Sequence, residues 1–112
     1  MFFILVAVRF TLNFRLHQDL RSLTMIKRTV TVTNSAGLHA RPAAQLVQVA
    51  SRYTCDFFIH MYGYRVNGKS ILGVMTLAAE QGAELELEFV GEDEEKACEE
   101  VLGLFSAGFN EP

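Results

Sequence analysis

The sequence has few of the residues from which covalent and metal cross-links are built. It contains 2 cysteines, 3 histidines and no tryptophan in 112 residues. Cys55 and Cys98 lie far apart and lack CxxC spacing, so we expect ordinary buried or half-buried thiols rather than a disulfide or a redox motif. The histidines are not grouped as metal ligands, and no glycine-rich nucleotide loop is present. We therefore predict neither a metal site nor a cofactor.

Basic residues are almost absent from the last third of the chain, where Lys96 is the only one. All acidic residues except Asp19 and Asp56 lie from Glu80 onward, and the formal net charge is -3. The earlier part of the chain is therefore basic, which favours acidic proteins as partners. Nucleic acid is a poor alternative, because the lysines and arginines are scattered and form neither a basic helix nor a surface interleaved with aromatic residues.

A membrane-spanning segment is also missing from the sequence. The apolar run Phe2–Val8 is far shorter than the ~18 residues that a spanning helix needs. It has no preceding positive charge and no small-residue cleavage site, so a secretory signal is not expected. We predict one small domain over residues 25–112, located in the cytoplasm without membrane contact, and an N-terminal extension over residues 1–24 that is not part of this fold.

Three interpretations of residues 1–24 stay open. Met25 is the true start and the extension results from the choice of an upstream start; or the extension is a tail that binds a membrane surface or a partner; or it adds an edge strand to the domain. The last interpretation rests on Val8–Leu16, where apolar and polar residues alternate as in a strand.

The segment Gly37–Ala44 (GLHARPAA) sets one histidine at the start of a predicted helix. Before this segment, Lys27–Thr33 alternates as in a strand, and after it apolar residues recur at helical spacing. Pro42 fits only the first turn of a helix, where its missing N–H would have no intrahelical partner. The helix is therefore predicted to begin near Ala40, with His39 at or next to the N-cap.

A histidine in this place can carry an anion. The positive end of a helix disfavours a protonated ring, so we expect His39 to be a neutral nucleophile. The N–H groups of the first turn and the guanidinium of Arg41 would bind the oxygens of an attached phosphoryl group. No second acid or base lies close in sequence, which favours a labile carrier over a hydrolase. Taken alone, a histidine before a helix is usually a solvent-facing loop or capping residue, and Arg41 alone would be an ordinary surface charge.

The string GLHARPAA resembles the active-site signature of the HPr phosphocarrier family of the bacterial phosphotransferase system, in which a histidine and a small residue precede arginine and proline. The resemblance implies that His39 is the phosphorylated residue and Arg41 its charge partner. It also implies the partners: enzyme I, the phosphoenolpyruvate-dependent kinase, as donor, and EIIA-type proteins as acceptors.

A second string, Asn67–Leu77 (NGKSILGVMTL), resembles the regulatory-serine segment of the same family. Ser70 is a good N-cap for a short helix, and most serines in this position are caps and nothing more. The resemblance implies a further role, in which Ser70 is the target of an HPr kinase/phosphorylase. Three apolar residues of this helix cannot all face inwards, so we expect an exposed patch that docks partners, with core packing as the alternative. The patch residues are Ile71, Leu72 and Met75.

The branch of the family stays open. The serine segment resembles carriers that serve carbohydrate uptake, whereas the ending Leu104–Asn110 resembles the nitrogen-related branch. A purely regulatory HPr-like binding protein is a further alternative, which the presence of His39 argues against. A histidine-dependent enzyme with its own small-molecule substrate has no support from a metal set or a nucleotide loop.

Patterns along the chain predict the order β-α-β-β-α-β-α. The predicted elements are strand Ile26–Thr33, helix Ala40–Tyr53, strands Asp56–Met61 and Tyr64–Val66, helix Ile71–Leu77, strand Glu84–Phe89, and a last helix that opens at Glu92 and ends before Gly108. The strict alternation of Glu84–Phe89 predicts one buried and one wet face. The fold class is α+β: a four-stranded antiparallel sheet covered on one side by three helices. The resemblance implies the same HPr-like open-faced β-sandwich.

Overall fold

Segments of alternating polarity form strands, and segments with apolar residues at helical spacing form helices. The computed structural model describes residues 25–112. Its elements are β1 Ile26–Thr31, α1 Ala40–Ala50, β2 Asp56–Met61, β3 Tyr64–Asn67, α2 Ile71–Thr76, β4 Glu84–Val90 and α3 Glu94–Ser106, followed by a 3-10 turn at Gly108–Asn110. The predictions for residues 1–24 concern a part of the chain outside the described residues.

The strands form one antiparallel sheet in the order β1-β4-β2-β3. β4 lies between β1 and β2, with Leu85 opposite Val30 and Leu87 opposite Ile59. β2 and β3 form a hairpin whose turn contains Gly63 in the left-handed region, at φ 84°. The predicted order of elements and the α+β fold class are confirmed.

The inward face of the sheet packs against the helices and forms the core. On β4 this face carries Leu85, Leu87 and Phe89, each at most 1% exposed. The ring of Phe89 stacks on that of Phe57 with 4.7 Å between centroids, and Leu46 of α1 is fully buried. Each such side chain stabilises the fold by roughly 1.5–3 kcal/mol relative to an exposed position.

Gly68 ties the segment before α2 to this core. Its N–H donates to the carbonyl oxygen of Phe57 at 2.8 Å. A Cβ atom at Gly68 would lie 2.2 Å from the Phe57 ring, so no larger residue fits without displacing the ring. The loop that carries Ser70 therefore starts from a fixed point.

The prediction of a uniformly wet outer face on β4 is wrong for Glu88, which is 8% exposed. Its cross-strand neighbours are Lys27 on β1 and Phe58 on β2. The imidazole of His60 lies next to it, with Nε2 2.7 Å from Oε1 of Glu88. The carboxylate is covered by these neighbours and keeps a hydrogen-bond partner, as a buried charge requires.

Three element ends differ from prediction by two or three residues: β1 ends at Thr31 rather than Thr33, α1 at Ala50 rather than Tyr53, and α3 begins at Glu94 rather than Glu92. The N-cap of α3, Asp93, is bonded to the segment before β2. The Asp93 carboxylate accepts hydrogen bonds from the backbone N–H of Thr54 at 2.8 Å and of Cys55 at 2.9 Å. These bonds, led by that from Thr54, hold the pKa of Asp93 below its usual value.

Cys55 and Cys98 are free and buried, as predicted. Burial raises the pKa of the Cys55 thiol to about 11, which makes it a poor nucleophile near neutral pH. Within residues 25–112, no three histidine, cysteine or acidic side chains are arranged to hold a metal ion. In the same part of the chain, no helix combines the length and the apolar character needed to cross a membrane.

Candidate functional site

His39 is the N-cap of α1, with an extended backbone (φ -75°, ψ -170°). Its carbonyl oxygen accepts the first intrahelical hydrogen bond, from the Ala43 N–H at 3.0 Å. Pro42 lies in the first turn, as predicted, and is buried. The imidazole does not bond to the helix backbone and is 42% exposed. The first N–H groups of the helix have no intrahelical acceptor, and the His39 side chain does not cap them.

The backbone that leads to His39 is held from two sides. The Leu38 N–H donates to the carbonyl oxygen of Ala79 at 2.9 Å, and Asn34 Nδ2 donates to the Gly37 carbonyl at 2.8 Å. Gly37 has φ 72°, and a Cβ atom there would lie 2.3 Å from the Ala79 oxygen. Only glycine fits this close approach, so the position of His39 is set by packing rather than by a free loop.

The Glu111 carboxylate joins both residues of the predicted site. Its Oε1 lies 3.0 Å from His39 Nε2 and accepts a hydrogen bond from Asn34 Nδ2 at 3.1 Å. Its Oε2 lies 3.6 Å from Nη1 of Arg41. The hydrogen bond from His39 is the main cause that holds the pKa of Glu111 below its usual value, against the opposing effect of burial.

Sequence reasoning did not identify Glu111. It is separated from His39 by 72 residues, and the prediction considered only acids and bases close in sequence. The expectation that the histidine segment belongs to a purely basic part of the molecule is therefore incomplete, because the chain end brings a carboxylate to it. A lone acid beyond the last helix gave no pattern from which this contact could be read.

The residues after α3 explain how Glu111 reaches the site. Phe109 is 1% exposed and packs edge-on against Phe105, with 5.0 Å between ring centroids. The backbone then turns back through left-handed conformations at Phe109 (φ 55°) and Asn110 (φ 58°). The carbonyl oxygen of Pro112 accepts a hydrogen bond from the Ser35 N–H at 2.8 Å. The chain end is thus fixed on both sides of Glu111.

Ser70 is the N-cap of α2, as predicted. Its Oγ accepts a hydrogen bond from the Gly73 N–H at 3.0 Å. The preceding residue, Lys69, donates from Nζ to the carbonyl oxygen of Tyr53 at 2.7 Å, beyond the C-terminal end of α1. The capping role is confirmed, and the regulatory role stays a prediction.

The short helix α2 buries Val74 and leaves the predicted patch accessible. Ile71 is 43% exposed, Leu72 77% and Met75 40%. The alternative of complete core packing is therefore wrong for these three side chains. Within the described residues, no hydrogen bond or ion pair joins α2 to His39, although α2 packs against α1.

Comparisons with known proteins identify the family of this chain. A family model described as "PTS HPr component phosphorylation site" matches residues 26–107. The phosphocarrier protein HPr of Treponema pallidum is 48% identical over 87 residues, which is 78% of this chain and 99% of that protein. The HPr-like protein Crh of Bacillus subtilis is 47% identical over 77 residues, which is 69% of this chain and 91% of that protein.

A solved structure shows the same fold. HPr-C-His from Thermoanaerobacter tengcongensis matches with a TM-score of 0.75 and 38% identity, covering 78% of this chain and 98% of that one. The family match begins at β1 and continues past the end of α3, so it includes the sheet, all three helices and the segment around His39. The chain therefore belongs to the HPr family of phosphocarrier proteins of the phosphotransferase system.

Proposed function

We propose that this protein carries a phosphoryl group on His39 in the cytoplasm, accepting it from enzyme I and passing it to EIIA-type proteins. The observation that carries the proposal is the placement of His39 at the N-terminus of α1. His39 and Arg41 both pair with the carboxylate of Glu111. A carrier must present one atom to two different proteins in turn. An imidazole that is 42% exposed on a fixed backbone meets this requirement.

The hydrogen bond to Glu111 indicates which nitrogen reacts. An ionised carboxylate only accepts hydrogen bonds, so the proton of this bond belongs to Nε2 of His39. In a neutral imidazole the other nitrogen, Nδ1, then has a free lone pair. Nδ1 makes no hydrogen bond to any residue within 25–112. Nδ1 is therefore the nucleophile in the proposed transfer.

Arg41 is suited to pair with the incoming phosphoryl group. Its side chain is 67% exposed and 3.6 Å from Glu111. Exposed ion pairs of this kind are typically worth about 0–1 kcal/mol, so the guanidinium can leave Glu111 at little cost. A dianionic phosphoryl group offers a stronger, bidentate partner for its planar fork.

The start of α1 adds a second stabilising effect. A helix N-terminus favours a nearby anion by roughly 0.3–2 kcal/mol. An effect of this size steadies a phosphohistidine but leaves it reactive towards the next acceptor. That balance fits a carrier better than an end point of phosphate transfer.

An enzyme with its own small-molecule substrate has less support. An open pocket of about 710 Å³ lies between the β2–β3 turn and the segment after α2. Its lining includes Tyr62, Tyr64 and Leu77, but not His39, Arg41 or Glu111. The proposed nucleophile therefore faces open surface on which a partner protein can dock, rather than this pocket.

The direct test is incubation of the purified protein with phosphoenolpyruvate and enzyme I. We expect one phosphate per chain, stable in base and labile in acid, as for a phosphohistidine. A parallel mixture without enzyme I is expected to give none. Absence of phosphate in the complete mixture would refute the carrier proposal.

We further propose that phosphorylation of Ser70 by an HPr kinase/phosphorylase controls this transfer. Ser70 lies directly before the exposed side chains Ile71 and Leu72, so a phosphate there would put negative charge beside the proposed docking patch. Partners that are acidic would then be repelled. The surface of α2 would act as the switch, without a change of fold.

Two substitutions separate this role from capping. Ser70→Asp adds a charge and is expected to weaken the affinity for enzyme I, whereas Ser70→Ala loses a cap worth ~1 kcal/mol and is expected to bind almost normally. The loss in Ser70→Asp should shrink at high salt, because the Debye length is only about 8–10 Å near physiological ionic strength. Equal affinities for the two variants would reduce Ser70 to a cap.

A further inference from the structure

We propose that Glu111 is a positioning residue for His39. It holds the proton of the imidazole on Nε2, leaves Nδ1 free to react, and balances the positive charge that the ring gains when Nδ1 is phosphorylated. This inference rests on the proposed transfer to His39. It adds a role for Glu111, which lies outside both family-like segments, Gly37–Ala44 and Asn67–Leu77.

The first support is the geometry of the carboxylate. Oε1 of Glu111 receives two donors, His39 Nε2 at 3.0 Å and Asn34 Nδ2 at 3.1 Å. The Glu111 side chain is only 10% exposed, whereas the ring of His39 is 42% exposed. A sheltered carboxylate with a fixed second donor can orient a more exposed ring, and not the reverse.

The second support is the way in which the chain end is held. Phe109 and Asn110 both adopt left-handed backbone conformations, which asparagine tolerates but which are unfavourable for a bulky residue such as Phe109. The burial of Phe109 and the hydrogen bond from Ser35 to Pro112 maintain this conformation. As a result, the side chain of Glu111, which lies between Asn110 and Pro112, reaches His39 at the start of α1.

Asn34 strengthens the same arrangement. It is 1% exposed and donates from Nδ2 to both Glu111 and the carbonyl oxygen of Gly37. Within the described residues its Oδ1 is buried without a hydrogen-bond partner. Rotating the amide by half a turn would satisfy neither acceptor, so the two bonds fix its orientation. A buried polar group is thus used to hold Glu111 in place.

In the proposed step, the lone pair of Nδ1 attacks the phosphorus atom of the phosphoryl group that enzyme I carries, and the bond from phosphorus to the donor atom breaks with its electron pair. The His39 ring keeps its proton on Nε2 and becomes positively charged. Glu111 then faces this charge across the Nε2 hydrogen bond, in the way that a buried carboxylate supports the imidazolium of a catalytic triad.

The test compares three variants: Glu111→Ala, Glu111→Gln and the control Glu95→Gln, which changes an exposed acid in the first turn of α3. Two readouts are used. The ¹⁵N chemical shifts of the His39 ring report the tautomer, and the rate of phosphoryl transfer from enzyme I reports function. Dispersed amide signals of β4 verify that each variant is folded.

We expect Glu111→Ala to lower the fraction of the Nε2–H tautomer and to slow transfer by about tenfold or more. Glu111→Gln keeps an acceptor without the charge, so the tautomer is expected to be largely retained and transfer to fall between wild type and Glu111→Ala. Glu95→Gln is expected to match wild type in both readouts.

Two outcomes would overturn the inference. One is a Glu111→Ala variant with unchanged tautomer and rate. The other is a slower Glu111→Ala variant with an unchanged tautomer, which would place Glu111 in contact with the partner rather than in control of His39. The tautomer is measured without enzyme I, so a wild-type protein that accepts no phosphate refutes the carrier proposal and not the positioning role.

Discussion

Residues 25–112 contain two histidine–glutamate pairs with nearly the same local chemistry and different surroundings. His39 meets Glu111 at 3.0 Å and His60 meets Glu88 at 2.7 Å, each through Nε2 and a carboxylate oxygen. The first ring is 42% exposed and the second 29%. The imidazole–carboxylate pair alone therefore does not single out His39 as the proposed phosphoryl carrier.

The difference lies in what surrounds each pair. His39 caps a helix whose first turn carries Arg41, and the first N–H groups of a helix, which have no intrahelical acceptor, form a site suited to anions. His60 lies inside β2 between two paired strands, where the backbone N–H groups are used in the sheet ladder. The arginine opposite it, Arg65, lies over the ring of Phe58 at 3.6 Å. Under the proposed function, the start of α1 rather than the histidine–glutamate pair would bind the phosphoryl group.

The largest effect is expected when each histidine is replaced in turn. His39→Ala should fold and accept no phosphate from enzyme I, because no other ring combines exposure with a helix N-terminus in the described residues. His60→Ala should accept a full equivalent. Incorporation of labelled phosphate measures both. Full labelling of His39→Ala would place the nucleophile elsewhere and would refute the distinction between His39 and His60.

A smaller effect is expected at the two arginines. Arg41→Glu should slow transfer by an order of magnitude or more, because a carboxylate would repel the phosphoryl group at the start of α1. Arg65→Glu makes the same change in charge beside His60 and should leave the rate within about twofold of wild type, since a distant exposed charge is largely screened. Rapid-quench kinetics with enzyme I compare them. Equal rates for the two variants would make Arg41 an ordinary surface charge.

The sequence was sufficient for the features that depend on neighbouring residues. Alternation predicted the strands, and the combination of Gly37, His39 and Pro42 predicted a helix that begins at Ala40. Ser70 was recognised as a cap because its acceptor role involves a residue three positions away. The predicted element ends lie within three residues of the observed ones. The differences arise because local propensity does not determine where a helix or strand ends.

The missed features depend on contacts between distant parts of the chain. Glu88 was assigned to solvent because the alternation of β4 says nothing about which side chain of β2 lies beside it. Glu111 was missed because the backbone must reverse after Phe109 to bring it to His39. Both involve a carboxylate with a histidine partner. The His39–Glu111 and His60–Glu88 pairs are therefore visible in the structure but not in the sequence.

The two histidine substitutions should affect stability in the opposite order to their effect on phosphate transfer. His60→Ala leaves the Glu88 carboxylate, 8% exposed, without its hydrogen-bond partner, which should lower the free energy of unfolding by about 1–3 kcal/mol. His39→Ala leaves Glu111 its hydrogen bond from Asn34 and its ion pair with Arg41, and should change the free energy of unfolding by less than ~1 kcal/mol. Urea unfolding followed by circular dichroism gives both values. A larger loss in His39→Ala would contradict the assignment of His60 to stability.

The smallest expected effect is the acid dependence of the His39–Glu111 pair. The pKa of Glu111 is lower in the folded protein than its usual value of 4.5, chiefly because of the hydrogen bond from His39. Its contribution to stability is therefore fully present above pH 4.5 and is lost as the pH falls through the lower, folded value. The difference in unfolding free energy between wild type and Glu111→Gln should accordingly shrink in that acid range. Asp93, whose pKa is also lowered, is common to both proteins, so its titration cancels in the comparison.

In a His39→Ala background most of the acid dependence at Glu111 should disappear. If it persisted there unchanged, Asn34 and Arg41 rather than His39 would stabilise the carboxylate, and the pair would lose its coupling.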